Sequence, residues 1–327
     1  MEESNNKKGR VCVTGGTGYL GSWMVKRLLE DGYFVNTTTR LDPERKRDVS
    51  YLTNLPGASE RLQIFNADLD EPDSFRPAIE GCIGLFHVAH PIDFEDKETE
   101  EIKTKRSITA LLGILQACLD SKTVKRVVYT SSLATATFDN SKDVSDLKDE
   151  TCWTNVDFVR SLGVFGGSYT VSKTLTEKTA LEFAEKHGLD LVTVLPSWIH
   201  GPFISPACPG SVFVCLKDVY QNLVRNCFVH VDDVARAHIH LFEYPNAKGR
   251  YICSGVEATI HELSEIISAK YPECKLPTAA DFPTGLTTSN FFGLSNKKLL
   301  ETGFKYENGL GEMFDGAIKS CKEKGLL

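Results

Sequence analysis

The segment that most constrains the fold is a set of glycines between an apolar strand and a helical pattern. The run Arg10–Thr14 predicts a β-strand, and glycines follow at Gly15, Gly18 and Gly21, where the helical pattern begins. The first glycine permits a tight turn, the second lets the backbone approach a pyrophosphate, and the third lets the helix pack close to the sheet. An ordinary glycine-rich turn is the alternative, and the flanking strand and helix patterns disfavour it.

Apolar strand patterns alternate with helix patterns over the first two hundred residues. Repeated strand–helix–strand order predicts a parallel sheet with helices on both faces, so the fold class is α/β, a Rossmann-type doubly wound parallel sheet. The predicted strands are Arg10–Thr14, Phe34–Thr39, Leu62–Phe65, Gly84–Ala89, Val124–Thr130 and Leu189–Leu195. The predicted helices between them include Gly18–Glu30, Glu98–Leu119 and Ser168–Lys186.

The pattern loosens after Pro196, where four prolines fall within about fourteen residues. The predicted elements beyond that point are strands at Phe228–Val231 and Arg250–Cys253, and helices at Asp232–Phe242, His261–Lys270 and Leu310–Lys324. We expect a dinucleotide-binding domain of residues 8–196 plus 228–252. Residues 197–227 and 253–327 would then form a smaller C-terminal substrate lobe.

Composition excludes several classes of partner. The 37 basic and 44 acidic residues give a net charge of −7, which argues against nucleic acid. No stretch of about 18 apolar residues is present, so we expect no membrane span. The first ten residues carry no secretory signal, and the ten cysteines include no Cys-x-x-Cys pair. We therefore expect free thiols, a cytoplasmic location and no bound metal.

The end of the second predicted strand separates NADP from NAD. A carboxylate there would accept hydrogen bonds from the ribose hydroxyls, but Arg40 follows Thr39 instead. The planar guanidinium of arginine matches a phosphate, and further basic residues follow at Arg45, Lys46 and Arg47. The pattern favours NADP. A solvated basic turn is the alternative, and the nearby Asp42 complicates the NADP interpretation.

The third predicted strand is followed by Asp68, at the edge of the sheet that would face the adenine. Its carboxylate could accept the exocyclic amine, or it could cap a helix that begins near Pro72. These two roles do not exclude each other.

A tyrosine and a lysine lie four positions apart on a predicted helix, so Tyr169 and Lys173 share one face. Ser131 and Ser132 end the fifth predicted strand and face the same crevice. An unperturbed phenol titrates near 10, and we expect the ammonium of Lys173 and an oxidised nicotinamide to lower that pKa. The phenol would exchange a proton with a substrate oxygen that a serine holds. A surface aromatic–cation pair is the alternative.

These motifs together resemble the extended short-chain dehydrogenases/reductases, and within them the plant dihydroflavonol reductase group. The resemblance rests on the glycine segment, on the Tyr-Thr-Ser-Ser run that ends at Ser132, and on Tyr169 with Lys173. It extends from about Gly9 to Gly325. It implies NADP(H) as cofactor and a polycyclic plant ketone or alcohol as substrate.

The resemblance also assigns roles to individual residues. It implies that Ser132, Tyr169 and Lys173 are catalytic and that Arg40 binds the 2′-phosphate. The expected cofactor-binding residues are Gly15, Thr17, Gly18, Tyr19, Leu20, Gly21, Arg40, Arg47, Asp68, Leu69, Val88, Ala89, Tyr169, Lys173 and Pro196.

Departures from the group pattern cluster around the expected substrate pocket. His90 stands where threonine or serine is usual, Thr137 where asparagine is frequent, and Gly167 where many members carry tryptophan. The segment between Pro209 and Val229 also looks several residues shorter. We therefore expect His90, Ser132, Thr137 and Gly167 to line the substrate pocket.

Three functions remain open at this point. The first is NADPH-dependent reduction of a flavonoid-like ketone, and the second is NAD(P)+-dependent oxidation of an alkaloid alcohol or hemiacetal. The third is a non-catalytic dinucleotide sensor, which the intact Tyr169 and Lys173 disfavour.

The assignment of Arg40 predicts a selective loss of cofactor affinity. Arg40→Ala should weaken NADPH binding by about tenfold or more, because a charge-assisted hydrogen bond to phosphate is lost. NADH binding should change far less, since NADH carries no 2′-phosphate. Titration of both dinucleotides measures the difference, and equal losses would contradict the phosphate assignment.

Overall fold

The computed structural model describes residues 8–40, 48–90, 98–139, 147–163, 166–216, 225–272 and 293–327. Arg45, Lys46 and Arg47, which the sequence analysis places beside the cofactor, lie outside these residues. The described strands are β1 (Arg10–Thr14), β2 (Phe34–Thr39), β3 (Leu62–Asn66), β4 (Gly84–His87), β5 (Arg126–Thr130), β6 (Leu191–Pro196), β7 (Trp198–His200), β8 (Arg225–His230), β9 (Gly249–Cys253) and β10 (Val256–Thr259).

Seven of these strands form one sheet in the order β3-β2-β1-β4-β5-β6-β9. Every neighbouring pair in it is parallel. Strands β5 and β6 are buried at every position, as their nearly continuous apolar sequence requires when helices cover both faces. The order reverses direction between β1 and β4, which is where doubly wound sheets bind ligands. The predicted α/β fold class is confirmed.

A smaller sheet has the order β10-β8-β7, with an antiparallel β8–β10 pair and a parallel β7–β8 pair. Strands β7 and β10 were not predicted, because runs of three and four residues are too short to show a period. Residues 228–230, which the sequence analysis placed in the dinucleotide-binding domain, end β8 in this smaller sheet.

Helices cover the sheets and connect the strands. The described α-helices are α1 (Tyr19–Glu30), α2 (Ser50–Thr53), α3 (Ala58–Arg61), α4 (Arg76–Ile79), α5 (Glu100–Ser121), α6 (Ala134–Thr137), α7 (Val156–Leu162), α8 (Gly167–His187), α9 (Gly210–Leu216), α10 (Val231–Glu243), α11 (Ile260–Lys270), α12 (Lys297–Glu301) and α13 (Leu310–Glu323), and a 3₁₀ helix spans Pro72–Phe75. None of the described helices combines the length and the apolar composition needed to cross a membrane.

The residues around the start of α10 tie the two sheets together. Nδ1 of His230 accepts the backbone N–H of Asp232 at 3.0 Å and so caps the helix. The Asp232 carboxylate accepts Nε1 of Trp23 at 2.7 Å and also binds Arg27, both on α1. The glycine turn is therefore anchored, through α1, to the segment that leaves the smaller sheet.

The nine cysteines in the described ranges are all free thiols, as the sequence analysis predicted. Most of them are buried, which makes them small apolar core residues.

A buried histidine in the smaller sheet makes stability depend on pH. His200 is fully buried against Phe314, with ring centroids 4.2 Å apart, and burial lowers its pKa to about 3. In the unfolded chain histidine takes up a proton near pH 6.5. Unfolding therefore binds a proton between these pH values, and the free energy of unfolding falls as pH drops below about 6.5.

Replacing His200 by a residue that does not titrate should make the free energy of unfolding fall less steeply at low pH. We expect His200→Phe to remove about 1.4 kcal/mol per pH unit from the slope of the free energy of unfolding near pH 5. Urea unfolding at several pH values measures the slope. His187→Phe, at an exposed position on α8, is the control. An unchanged slope in His200→Phe would contradict a buried neutral ring.

Candidate active site

One cleft of about 1980 Å³ runs along the carboxyl ends of the large sheet and is closed on its other side by the smaller sheet. Every expected cofactor-binding residue within the described ranges lines this cleft. Arg47 lies outside those ranges. The cleft also contains Ser132, His90 and Thr137 from the expected substrate pocket. The fold therefore brings the two groups of predicted residues to one place.

The glycine turn at the start of α1 is shaped by two different constraints. A Cβ at Gly21 would stand 2.1 Å from the carbonyl oxygen of Gly15, so the helix and the turn touch there. Gly21 therefore lets α1 pack closely against the turn that directly follows β1. The glycine held against the sheet is Gly16, whose Cβ would lie 1.9 Å from Oγ1 of Thr37 on β2.

Gly18 is the position that leaves room for a ligand. A Cβ there would approach only the Gly15 carbonyl oxygen, at 3.3 Å, and the rest of the space belongs to the cleft. Gly18 is also the N-cap of α1, with no side-chain cap and no acidic residue in the first turn. The first backbone N–H groups of α1 are therefore free of side-chain acceptors and suited to an anion.

The turn after β4 is fixed by one hydroxyl. Oγ1 of Thr14 accepts the N–H groups of Val88 and Ala89, both at 3.0 Å, and bonds Nδ1 of His87 at 2.9 Å. Because two donors already point at this oxygen, its own proton points to His87. Burial lowers the pKa of His87 to about 3, so its ring stays neutral and Nδ1 accepts the hydrogen bond from the hydroxyl of Thr14.

Helix α8 and strand β5 assemble the predicted proton-transfer group. Tyr169 and Lys173 lie on one face of α8, and Nζ of Lys173 donates to the carbonyl oxygen of Thr130 at 2.9 Å. A side-chain hydrogen bond joins Tyr169 to Ser132, whose Oγ also accepts the N–H of Ala134 at 3.2 Å.

The two serines at the end of β5 have different partners. Oγ of Ser131 donates to Oε2 of Glu177 at 2.7 Å, so it is turned away from Tyr169. Ser132 is the serine that bonds Tyr169. The geometry therefore distinguishes two residues between which sequence spacing alone could not choose.

Burial controls the protonation of this group. It raises the pKa of Tyr169, and the hydrogen bond with Ser132 offsets this only in part. The expectation that Lys173 lowers the pKa of Tyr169 is wrong for the chain alone, because the cost of desolvating a buried phenolate is larger. Burial also lowers the pKa of Lys173 to about 7, against the attraction of Glu177. At neutral pH Tyr169 is thus a neutral phenol, and the amine of Lys173 titrates near the working pH.

His90 stands directly beside the phenol. Its ring meets that of Tyr169 edge-on, with centroids 5.7 Å apart and planes at 84°. Burial, with the charge of Lys173, keeps the pKa of His90 well below its usual value. The imidazole is therefore neutral and offers one donor and one acceptor to the cleft. Thr137 also lines the cleft, and its hydroxyl donates to the carbonyl oxygen of Leu133 at 3.4 Å.

The assignment of Gly167 to the substrate pocket is wrong. Gly167 is the first residue of α8, and residues two apart on a helix, such as 167 and Tyr169, point to different sides. It lines a separate pocket of about 430 Å³ together with Thr99 and Arg160.

The residues expected near the adenine and its ribose line the opposite end of the cleft. Oδ1 of Asp68 accepts the N–H of Asp70 at 3.1 Å. The N-cap of the following 3₁₀ helix is Glu71, without a side-chain cap, so Asp68 does not cap that helix. Arg40 is exposed at the end of β2 and Leu69 lies beside Asp68.

Sequence reasoning missed most of the wall on the substrate side. This wall is largely aromatic and aliphatic, and its members are Leu133, Phe138, Phe158, Leu162, Trp198, Ile199 and Val214. They come from separate elements, so no periodicity in the sequence connects them. Ser197 was also missed: it lines the cleft, it is buried, and its Oγ has no hydrogen-bond partner among the described residues. Its position directly after Pro196 was the available signal.

Within the described residues, no three His, Cys, Asp or Glu side chains come together as a metal site would require.

Comparison with known proteins gives matches over nearly the whole chain. The model of a family described as the NAD dependent epimerase/dehydratase family matches residues 11–253. Vestitone reductase of Medicago sativa is 54% identical over 325 residues, which cover 98% of this chain and 99% of that protein. The crystal structure of the alfalfa vestitone reductase superimposes with a TM-score of 0.84, at 49% identity, over 98% of this chain and 100% of its own.

Two further relatives are named for other activities. Noscapine synthase SDR1 of Papaver somniferum is 49% identical, over 97% of this chain and 93% of its own length. A dihydroflavonol 4-reductase of Callistephus chinensis is 44% identical, over 97% of this chain and 87% of its own.

Gly18 and Gly21 provide a matched test of the glycine turn. Gly18→Ala should leave stability within about 1 kcal/mol while weakening dinucleotide binding, because its Cβ occupies ligand space. Gly21→Ala should instead destabilise the fold by about 1–3 kcal/mol, because its Cβ collides with backbone. Urea unfolding and fluorescence titration of the dinucleotide separate the two effects. Unimpaired binding in Gly18→Ala would contradict the proposed cradle.

Proposed function

The chain belongs to the NAD dependent epimerase/dehydratase family, and we propose that it is an oxidoreductase that uses NADPH to reduce a ketone of a bulky, flavonoid-type plant metabolite. The observation that carries the proposal is the phenol of Tyr169. It is bonded to Ser132, it lies beside Lys173, and it faces the same cleft as the glycine turn. The family membership agrees with the resemblance noted in the sequence.

The residues of the cleft fit a dinucleotide. The space above Gly18 and the uncapped N–H groups of α1 suit its pyrophosphate. The buried, unpartnered hydroxyl of Ser197 offers a hydrogen bond to a polar group at the other end. Arg40 lines the cleft where a 2′-phosphate would distinguish NADP(H) from NAD(H). When bound, the cofactor supplies a hydride to the carbonyl carbon.

The chain itself supplies the proton and the orientation. Ser132 holds the carbonyl oxygen by a hydrogen bond, and Tyr169 donates its proton to that oxygen as negative charge develops. The protonated form of Lys173 stabilises the phenolate that remains, and solvent then returns a proton to the phenol. Ketone, NADPH and one proton thus become alcohol and NADP+. The raised pKa of Tyr169 keeps the phenol protonated, which is the form that donates a proton to the ketone oxygen.

The apolar wall supports a flat, polycyclic substrate. Phe138, Phe158 and Trp198 present aromatic surface on the substrate side of the cleft. Large aromatic side chains bind planar rings by offset or edge-on contacts and by burial of apolar area. The similarity to a vestitone reductase and to a dihydroflavonol 4-reductase favours a flavonoid-type ketone.

A second candidate is the oxidation of an alkaloid alcohol or hemiacetal with NAD(P)+. The 49% identity to noscapine synthase and the unusual His90 in the cleft favour it. Assays with flavonoid ketones plus NADPH and with alkaloid alcohols plus NADP+, both followed by nicotinamide absorbance, separate the candidates. Turnover restricted to the oxidative assays would replace the first proposal by the second.

We further propose a division of work within the chain. Residues 8–196 and 231–252 hold the dinucleotide, and the remainder up to residue 327 shapes the substrate side. The boundary moves from 228 to 231 because residues 225–230 form β8 in the smaller sheet. The free thiols agree with a cytoplasmic location, which we propose on this ground.

The proposed proton donor is tested by Tyr169→Phe. Ketone turnover should fall by about 10²–10⁴-fold, because the phenolic proton is lost, while NADPH affinity should stay close to the original value. Tyr33→Phe is the control, since the hydroxyl of Tyr33 donates to Glu243 away from the cleft. Steady-state kinetics and NADPH titration provide the two readouts. Retained turnover in Tyr169→Phe would refute Tyr169 as the acid.

A further inference from the structure

A buried carboxylate lies one helical turn beyond the proton-transfer pair. Glu177 follows Lys173 by four residues and Tyr169 by eight, so all three share one face of α8. Its side chain is fully buried. A buried glutamate is rare unless it is paired, and neither the sequence motifs nor the proposed chemistry uses this one.

In the described structure, the carboxylate of Glu177 is the acceptor in each of its hydrogen bonds. Oε1 accepts from Oγ1 of Thr193 at 2.6 Å and from Nε of Arg250 at 3.0 Å. Oε2 accepts from Oγ of Ser131 at 2.7 Å. These donors come from three different strands or strand ends, β5, β6 and β9. The carboxylate therefore joins α8 to three neighbouring positions of the large sheet.

Arg250 is itself nearly buried and fully engaged. Its guanidinium donates to the backbone carbonyl oxygens of Glu150 and Cys152 and to Oγ1 of Thr135 at 2.8 Å. It also stacks over the ring of Trp153, 3.6 Å from the centroid. A buried ion pair is weak evidence for a stabilising role, because replacing both partners by apolar residues of similar volume is often neutral or stabilising. The presence of this ion pair beside α8, the helix that carries Tyr169 and Lys173, therefore points to a role other than stability.

The link to the active site runs through the serine pair. Ser131 is pinned on one side by Glu177 and on the other by its backbone N–H, which donates to the carbonyl oxygen of Val194 at 2.8 Å. Ser132 follows directly and can face Tyr169 only while this turn keeps its conformation. The carboxylate thus acts on Ser132 through one peptide unit.

A second link is electrostatic. The charged and titratable groups around Lys173 are His87 on β4, His90 three residues later, Tyr129 on β5, and Tyr169 and Glu177 on α8. Among these groups Glu177 carries the negative charge. Burial lowers the pKa of Lys173 and Glu177 raises it again, so removing the carboxylate should lower the pKa of Lys173 further and favour the neutral amine.

We propose that Glu177 is a positioning residue of the active site: its buried carboxylate, held by Arg250, fixes the Ser131 turn so that Ser132 faces Tyr169, and it keeps Lys173 charged. This inference rests on the proposed function, because it assigns Glu177 a role in the same proton transfer. It adds a residue that touches neither substrate nor cofactor.

The first test compares Glu177→Gln with Glu185→Gln, a matched change at an exposed carboxylate of the same helix. Ketone turnover should fall by about tenfold or more in Glu177→Gln. The alkaline limb of its pH profile should move down by about one pH unit. Glu185→Gln should match the original protein. If Glu177→Gln lowers only the melting temperature and leaves turnover and the pH profile in place, the proposal is overturned.

A second variant separates the two links and serves if Glu177→Gln does not fold. Ser131→Ala removes the hydroxyl and keeps the charge of Glu177. It should lower turnover without moving the alkaline limb, because Lys173 still faces a carboxylate. Unchanged turnover in Ser131→Ala would refute the positioning of Ser132 through this turn.

The third readout does not depend on turnover. Cyanate carbamylates neutral amines, so the pH dependence of Lys173 modification, read by peptide mass spectrometry, reports its protonation. The midpoint should lie near pH 7 in the original protein and lower in Glu177→Gln, while Ser131→Ala, which keeps the carboxylate, should retain the original midpoint. Identical midpoints in the original protein and Glu177→Gln would refute the electrostatic link. Absence of ketone turnover in the original protein would refute the proposed function, while this comparison still decides the role of Glu177.

Discussion

The active site depends on placing the ammonium of Lys173 inside the protein at the carboxyl end of β5. Burying a cation is costly, and the cost appears as a pKa lowered to about 7. Three features limit that cost: the carbonyl oxygen of Thr130 accepts a hydrogen bond, the ring of Tyr129 lies 5.2 Å from Nζ, and the carboxylate of Glu177 is one turn away. The remaining parts of the site are arranged around this group.

The parallel sheet explains why the parts meet. Carboxyl ends of parallel strands lie at one edge, so the glycine turn after β1, the turn after β4 and the serines after β5 face one cleft. Helix α8 begins near this edge and brings in the phenol and the amine from one face of its first two turns. The smaller sheet contributes Trp198 and Ile199 to the apolar wall, and the other members come from the segment after β5 and from α7 and α9.

Patterns that are local in the sequence predicted the structure well. The long strands and helices have clear periods, and the glycine turn carries its constraint within a few residues. Gly167 was misplaced because being close to Tyr169 in sequence does not mean sharing its side of a helix. Strands β7 and β10 were missed because they are too short to show a period. Sequence spacing did not separate Ser131 from Ser132; the resemblance assigned the catalytic role to Ser132, and the structure shows that Ser131 instead donates to Glu177.

Properties that depend on burial could not be predicted from sequence. The pKa of Tyr169 is raised rather than lowered because desolvation depends on every element packed around the phenol. Glu177 looks like an ordinary solvated charge on a helix, and its burial depends on Arg250 from a strand seventy-three residues away. The apolar wall is assembled from separate elements for the same reason.

The central claim is that this cleft transfers a hydride from NADPH to a ketone carbon. The most direct measurement uses NADPH deuterated at the transferable position of the nicotinamide, a flavonoid-type ketone and mass spectrometry of the product. The account predicts an alcohol that carries one deuterium on the former carbonyl carbon. An alcohol without deuterium at that carbon, or no alcohol despite bound NADPH, would contradict it.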